Sequence, residues 1–342
     1  MRRLSLSLLL GLAACEAGAL TVEGLDKDAP DTDASSVDTD PVDSPADTDG
    51  ETAVLDTAPG IDSGLGADPC NPAGGDGSIP DLTKAGSLAV ERANGSSPVG
   101  SCTMEWRRLR PKNATPHPTA IVLSHGFQRA ADQMIGWAEH LASWGFEVWV
   151  PSLCHATILD TDHERNGKDL AGLVDEVAPG RPVLFLGHSA GGLASVVAGA
   201  TSTATAGVLG LDLVDNANLG KKTAPALTDV PVWGIHGRST ACNSNANGIA
   251  VYGAAPRGGV LRIPSANHCD FENPSDWVCN TTCGLQLPGQ GGGFDDATRK
   301  RAISALATSF AMVFAGVDPD GVQYWAKGCA PHEALRSSGL VK

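Results

Sequence analysis

The run Val183-Leu184-Phe185-Leu186-Gly187-His188-Ser189-Ala190-Gly191-Gly192 sets one serine between an apolar, β-rich stretch and a small-residue helical pattern, within the spacing Gly-x-Ser-x-Gly. A chain that turns directly from strand into helix leaves no room for side chains at 187 and 191, and it lifts the Ser189 hydroxyl clear of the sheet. The helix start then aims backbone N–H groups, that of Ala190 first, at negative charge developing on an attacked carbonyl oxygen. Such a serine suits nucleophilic catalysis through a covalent intermediate, given a base to take its proton and a carboxylate to orient the base. The bland alternative is a structural turn with an idle serine. A strand before the motif and a helix after it argue against that.

The elements that must position this serine alternate along the chain. Ala120 to Ser124, Phe146 to Val150, Val183 to Leu186, Gly207 to Leu213, Val230 to Ile235 and Val260 to Ile263 read as buried strands. Between and after them, Ala131 to Trp144 (stopped by Gly145), Asp162 to Val177, Gly192 to Ala200 and Asp295 to Phe314 read as helices. In the last, Ile303, Leu306, Phe310 and Val313 are spaced for one buried face. Residues 84 to 110 read as antiparallel edge strands, and no internal repeat is present. Strands alternating with helices predict an α/β fold with a mostly parallel central sheet and helices on both faces.

From about residue 100 to 315 the chain resembles the α/β-hydrolase superfamily. The likeness rests on the serine elbow and on Ser124-His125-Gly126-Phe127 at a strand end, and the expected chain order of the site is Ser, Asp, His. Within it, the chain is most similar to the chlorophyllase-like, dienelactone-hydrolase-like, platelet-activating-factor-acetylhydrolase-like and cutinase-like (polyester-hydrolysing) branch. The resemblance implies the Phe127 N–H as a second oxyanion donor beside Ala190 N–H, with the Phe127 ring lining the acyl site. It leaves His125 the part of a loop residue that holds the turn.

The general base is expected on a loop returning over the elbow after the last strand, and His268 in Pro264-Ser265-Ala266-Asn267-His268-Cys269-Asp270-Phe271 fits. His188, His236, His117, His140, His155, His163 and His332 are less well placed and read as surface or loop residues. Many relatives carry the acid after the strand that here ends Trp233 to Ser239, yet no carboxylate occurs between Val230 and Arg262. The acetylhydrolase-like and chlorophyllase-like position one strand earlier matches Asp212, with Asp215 as the alternative. The implied activity is serine ester hydrolysis of lipophilic or bulky carboxylic esters, in an open cleft without a large lid. Phe127, Trp277 and Phe271 are candidate walls. Two other readings compete: a non-catalytic binding module on the same fold, and an acyltransferase or perhydrolase using the same three residues. The chemistry calls for no metal or cofactor. His155, Asp160, Asp162 and His163 could be drawn as metal ligands, but helix-start carboxylates explain the acids.

The ends of the chain bear on place rather than chemistry. Met1 to Cys15 has a charged head (Arg2, Arg3), an apolar core from Leu4 to Leu12 and the ending Leu12-Ala13-Ala14-Cys15. That is an export signal. The core is too short to span a bilayer, which takes roughly 20 residues. Its ending resembles the bacterial lipobox, which implies a lipid-modified Cys15 and a lipoprotein facing the periplasm or cell exterior, the alternative being a soluble secreted protein. Residues 16–69 hold fifteen acids, one base and few large apolar residues, and read as a disordered, self-repelling tether. The formal charge of the whole chain is −15. With the tether at −14 and the leader arginines at +2, the expected catalytic domain, 70–342, carries only −3. It has no basic patch with interleaved aromatics, so nucleic acid is not indicated as a partner. Nine cysteines less Cys15 leave eight, Cys70, Cys102, Cys154, Cys242, Cys269, Cys279, Cys283 and Cys329. An even set in an exported chain predicts disulfides, of which the sequence leaves 105 pairings open.

Overall fold

The computed structural model describes residues 68–283 and 296–342. The export signal, Cys15 and all but the last two residues of the tether lie outside the described residues.

A β-hairpin opens the sheet, with β1 (Val90–Val99) antiparallel to β2 (Cys102–Pro111). Then follow β3 (Ala120–Ser124), helix α1 (Ile135–Ser143), β4 (Glu147–Pro151), a small hairpin of β5 (Ala156–Thr157) and β6 (Asp160–Thr161), and helix α2 (His163–Val177). Strand β7 (Val183–His188) leads straight into α3 (Ala190–Thr201), and β8 (Thr205–Leu211) follows. The remaining elements are α4 (Leu219–Thr223), β9 (Val232–His236), α5 (Ile249–Ala254), β10 (Gly258–Arg262), α6 (Trp277–Thr282), α7 (Asp296–Phe314) and α8 (Ala330–Ser337). The eight-stranded sheet has the order β1-β2-β4-β3-β7-β8-β9-β10. It is parallel from β4 to β10, with β2 antiparallel to β4. This is a mixed α/β architecture with a large, mostly parallel sheet, as the alternation of elements predicts.

Side-chain alternation along the strands divides the core between the two faces. Ile121, Leu123, Leu184, Leu186, Leu209 and Leu211 pack on one side with α1 and α7. Ala120, Val122, Val183, Phe185 and Val208 pack on the other with α2, α3 and α5. Central strands buried on both faces read as the continuous apolar runs seen in the sequence.

Several expectations need correction. Strand β8 ends at Leu211, not Leu213, because Asp212 turns out of the sheet with φ +48°. The connection 237–257 after β9 is long, and the described residues after β10, 263–283, carry α6. Six residues give less than two turns, so α6 leaves no periodic trace in the sequence. All eight cysteines of this part are paired, as Cys70–Cys329, Cys102–Cys154, Cys242–Cys283 and Cys269–Cys279. Two of the four bridges end on or beside α6. They pin its segment to the loop after β9 through Cys242 and to the loop after β10 through Cys269. No helix among the described residues is long and apolar enough to cross a membrane.

Candidate active site

The turn at Ser189 has the backbone that the elbow spacing predicts. Ser189 lies at φ +56°, ψ −123°, a conformation costing a non-glycine residue on the order of 1–3 kcal/mol. The crowding that enforces glycine is explicit. A Cβ on Gly187 would lie 2.3 Å from the Gly191 carbonyl oxygen, and one on Gly191 would lie 2.3 Å from that of His125. The second contact also shows how the loop after β3 reaches the elbow: backbone rests on backbone there. The turn is tied to its neighbours by Ser189 N–H donating to Leu211 O (3.1 Å) and Val214 N–H to Ser189 O (3.3 Å).

Asp212 begins where β8 ends, one strand over, and is wholly buried. Its Oδ2 accepts a 2.6 Å hydrogen bond from His268 Nδ1. Its Oδ1 accepts from Gly237 N–H at 3.0 Å, and Asn243 Nδ2 donates to both oxygens at 3.2 Å. His236 Nδ1 stands 3.0 Å from Oδ1, off the alignment of a formed hydrogen bond. Burial alone would raise the Asp212 pKa. The two imidazoles against its oxygens, His236 and the hydrogen-bonded His268, more than reverse this and hold the carboxyl well below the usual range. Asp215 does something else: its carboxylate accepts from Gly220 N–H (2.7 Å) and Lys221 N–H (3.1 Å), in the first turn of α4. The two aspartates, open alternatives in the sequence, are thereby distinguished, and the one that meets His268 is Asp212.

His268 lies in a short 3₁₀ turn, His268–Phe271, capped by Asn267, which accepts from Cys269 N–H. Its ring packs on that of His188 at 4.5 Å between centroids, and His188 Nε2 lies 3.1 Å from the His268 carbonyl oxygen. His268 thus sits over the residue preceding Ser189. Ser189 and His268 keep 8% and 6% exposure. In this resting arrangement the Ser189 hydroxyl bonds to no described residue; such contacts often tighten only with substrate bound.

Phe127 follows Gly126, whose hypothetical Cβ would be 3.1 Å from Ser189 Cβ, so the loop passes directly beside Ser189. Neither Phe127 N–H nor Ala190 N–H donates to an acceptor among the described residues, although their neighbours do. The next residue, Gln128, has φ +57° and donates its N–H to Ala156 O at 2.7 Å. Non-glycine residues with positive φ thus mark all three segments, at Gln128, Ser189 and Asp212. His125 holds the turn: Nδ1 meets Gly126 O at 2.8 Å and Nε2 accepts from Leu153 N–H at 2.9 Å. Burial lowers its pKa to about 4, so the ring is neutral at pH 7.

The candidate walls fare differently. The Phe127 ring is half-buried, edge-on to His163 at 6.2 Å. Trp277, at the start of α6, is 75% exposed. Phe271 is corrected: it is fully buried with α7 and the sheet, and has no surface to offer a ligand. Among the competing histidines, His188 ends β7 in the elbow and His236 ends β9, and these two are buried, as are His155 and His332. Of the four residues that could be drawn as metal ligands, Asp162 caps α2 by accepting from Arg165 N–H (2.9 Å), and Asp160 takes His155 Nδ1 (2.9 Å).

Sequence reasoning missed the supports. Arg129 makes a two-pronged pair with buried Glu272 (2.6 and 2.8 Å) and reaches Asp276 (2.9 Å), joining the loop of Phe127 to the loop of His268. Glu272 is held above the usual range by burial, against the pull of Arg129. Asn243, His236 and Glu272 belong to no motif, and their partners lie on other loops. The one hint was the stretch from Val230 to Arg262, which holds no carboxylate and in which His236 is the first polar side chain at the end of β9.

Fold and site together define an α/β protein with a buried aspartate–histidine pair set beside a strained serine elbow. No protein-family model matches the chain, and no curated protein matches its sequence.

Proposed function

We propose that this protein is a serine carboxylic-ester hydrolase of the α/β-hydrolase type, acting through an acyl-enzyme on lipophilic or bulky esters. The observation that carries the reading is the 2.6 Å His268–Asp212 bond, buried beside a serine held at φ +56°. The strand order with a single antiparallel β2 inside a parallel sheet, and the order Ser, Asp, His along the chain, support the fold assignment. In the proposed reaction His268 Nε2 takes the Ser189 proton as Oγ bonds to the ester carbonyl carbon. The oxyanion is met by the free N–H groups of Phe127 and Ala190. The carbon–alkoxy bond then breaks, His268 returns the proton to the departing alcohol, and water repeats the sequence to release the acid. Asp212 keeps the imidazole in the tautomer with hydrogen on Nδ1 and stabilises its cation. A fluorophosphonate probe should label the purified protein once, at Ser189, as read by peptide mass. An unlabelled protein, or a label elsewhere, overturns the reading.

The apolar substrate class is supported by where greasy side chains reach solvent. Among the described residues the exposed large hydrophobics are Ile158, Leu159, Trp277 and Val278. The first two form the tip of the β5–β6 hairpin, whose Ala156 carbonyl holds Gln128. The other two open α6, where Asp276 is paired with Arg129. Both pairs are therefore anchored to the loop that carries Phe127. Ile158→Ser with Leu159→Ser is expected to lower the rate on an emulsified long-chain ester by about tenfold, on burial of roughly 1.5 kcal/mol or more. Hydrolysis of a soluble acetate ester should be nearly unchanged, and an equal loss on both would count against a role in substrate capture.

Export and lipid anchoring at Cys15 form the second part of the proposal. Complete pairing of the other eight cysteines suits an oxidising compartment. Cells grown with labelled palmitate should yield labelled wild-type protein and unlabelled Cys15→Ala. Equal label in both refutes the anchor.

A further inference from the structure

His236 closes β9 at the position from which the sheet next to β8 faces Asp212, and its side chain is wholly buried. Its Nδ1 lies 3.0 Å from Asp212 Oδ1, a close contact off the alignment of a formed hydrogen bond, and its Nε2 has no partner either. In a buried site an unprotonated Nδ1 would point a lone pair at a carboxylate oxygen 3.0 Å away, which is repulsive, so that nitrogen carries the hydrogen. Nε2 meets no acceptor that would hold a second hydrogen.

What presses the ring toward Asp212 is built into the sheet. Gly210 of β8 and Gly234 of β9 are cross-strand partners. Two glycines side by side in central strands are unfavourable in themselves, since they pack nothing. Here they open a slot. A Cβ on Gly210 would lie 2.1 Å from Tyr252 Oη, and one on Gly234 would lie 2.1 Å from Tyr252 Cζ. The Tyr252 ring, carried by α5, fills the slot and meets His236 edge-on, 5.8 Å between centroids and 71° between planes. Tyr252 Oη is buried without a partner, so the ring is there for its shape and not for a hydrogen bond. Its phenol is kept neutral, with a pKa pushed up by burial and by Asp212 and Asp215.

We infer that His236 is a positioning residue of the triad, a neutral imidazole wedged by Tyr252 against Asp212 Oδ1, which leaves Oδ2 turned to His268. The inference rests on the proposed ester hydrolase reading for its kinetic consequence. A neutral donor steadies the carboxylate without cancelling its charge, and that charge is what stabilises the His268 cation formed when Ser189 gives up its proton. A cationic residue in the same place would weaken it.

Two measurements test this. Nitrogen-15 NMR of the full protein labelled in its histidine rings should find His236 neutral and protonated on Nδ1, assigned by its disappearance in His236→Gln. Protonation on Nε2 alone, or a cationic ring at pH 7, overturns the inference whether or not any ester is hydrolysed. In steady-state hydrolysis normalised to fluorophosphonate-titrated sites, His236→Phe should lose roughly tenfold in kcat with KM within about twofold. The acid limb of its pH profile should move upward as the Asp212 charge concentrates on His268, and His236→Gln, whose amide can still donate, should recover part of the loss. A normalised kcat and pH profile equal to wild type overturn the inference, since a residue serving only the fold would change the number of active sites and not their rate. If the wild type hydrolyses no ester while the NMR result holds, the functional reading fails and the pairing stands.

Discussion

Ser189→Ala is expected to lower ester hydrolysis by roughly 10⁵ to 10⁶-fold in kcat, leaving the residual rate that bound substrate and oxyanion donors supply by themselves. The reason lies in how much of the local fold exists for this one hydroxyl. The backbone is held at φ +56°, two flanking glycines are enforced by contacts below 3 Å, and the Phe127 and Ala190 amides find no acceptor among the described residues. Alanine keeps the turn and removes only the nucleophile, so thermal stability should change little. Initial rates on p-nitrophenyl butyrate and a melting curve check both. A variant that hydrolyses the ester within tenfold of wild type would place the chemistry elsewhere.

Asp212→Asn is expected to cost about 10⁴-fold in kcat, with folding retained. Gly237 N–H donates to Oδ1, so an amide at this position turns its oxygen to that donor and its NH₂ toward His268 Nδ1. His268 must then carry its hydrogen on Nε2, where it cannot accept the Ser189 proton. Asp215→Ala is the contrast. It removes the acceptor for Gly220 and Lys221 N–H and should cost about 0.5–2 kcal/mol of stability with far less effect on rate. The sign of the pH effect follows from the depressed pKa of Asp212. Its ionised form contributes stability above the unfolded value of about 4, and that contribution is lost as pH falls through the folded value. Urea midpoints measured from pH 5 downward should therefore fall less steeply in Asp212→Asn than in wild type. Parallel curves would mean that Asp212 is not held ionised by its partners.

The loops around Ser189, Asp212 and His268 are tied together by groups outside those three residues. Arg129 and Glu272 form a buried, two-pronged pair between the Phe127 loop and the His268 loop. Removing one partner of such a pair typically costs about 3–5 kcal/mol, because the other charge is left buried and alone. Cys269–Cys279 fixes the residue after His268, and Cys242–Cys283 fixes the residue before Asn243, whose amide donates to Asp212. His268 is thus one residue from a disulfide that ends on or beside α6, and Asp212 one hydrogen bond and one residue from another.

The sequence alone determined the parts of this protein that depend on neighbours in the chain. The strand and helix alternation, the elbow and the sharp turn at Ser189 are local matters of side-chain period and backbone crowding, so they can be read from consecutive residues. The absence of any carboxylate from Val230 to Arg262 is read from the sequence as well, and only the resemblance to α/β-hydrolases turned it toward the strand before. The tertiary structure decided whatever depends on distance across loops. It chose one of 105 disulfide pairings, separated Asp212 from Asp215, buried Phe271 and showed His236 and Asn243 gathered on one carboxylate. Asp212 meets His268 across 56 residues of chain. Such a contact leaves no periodic trace, because only the packing of the sheet and its clamped loops sets which distant side chains share a site.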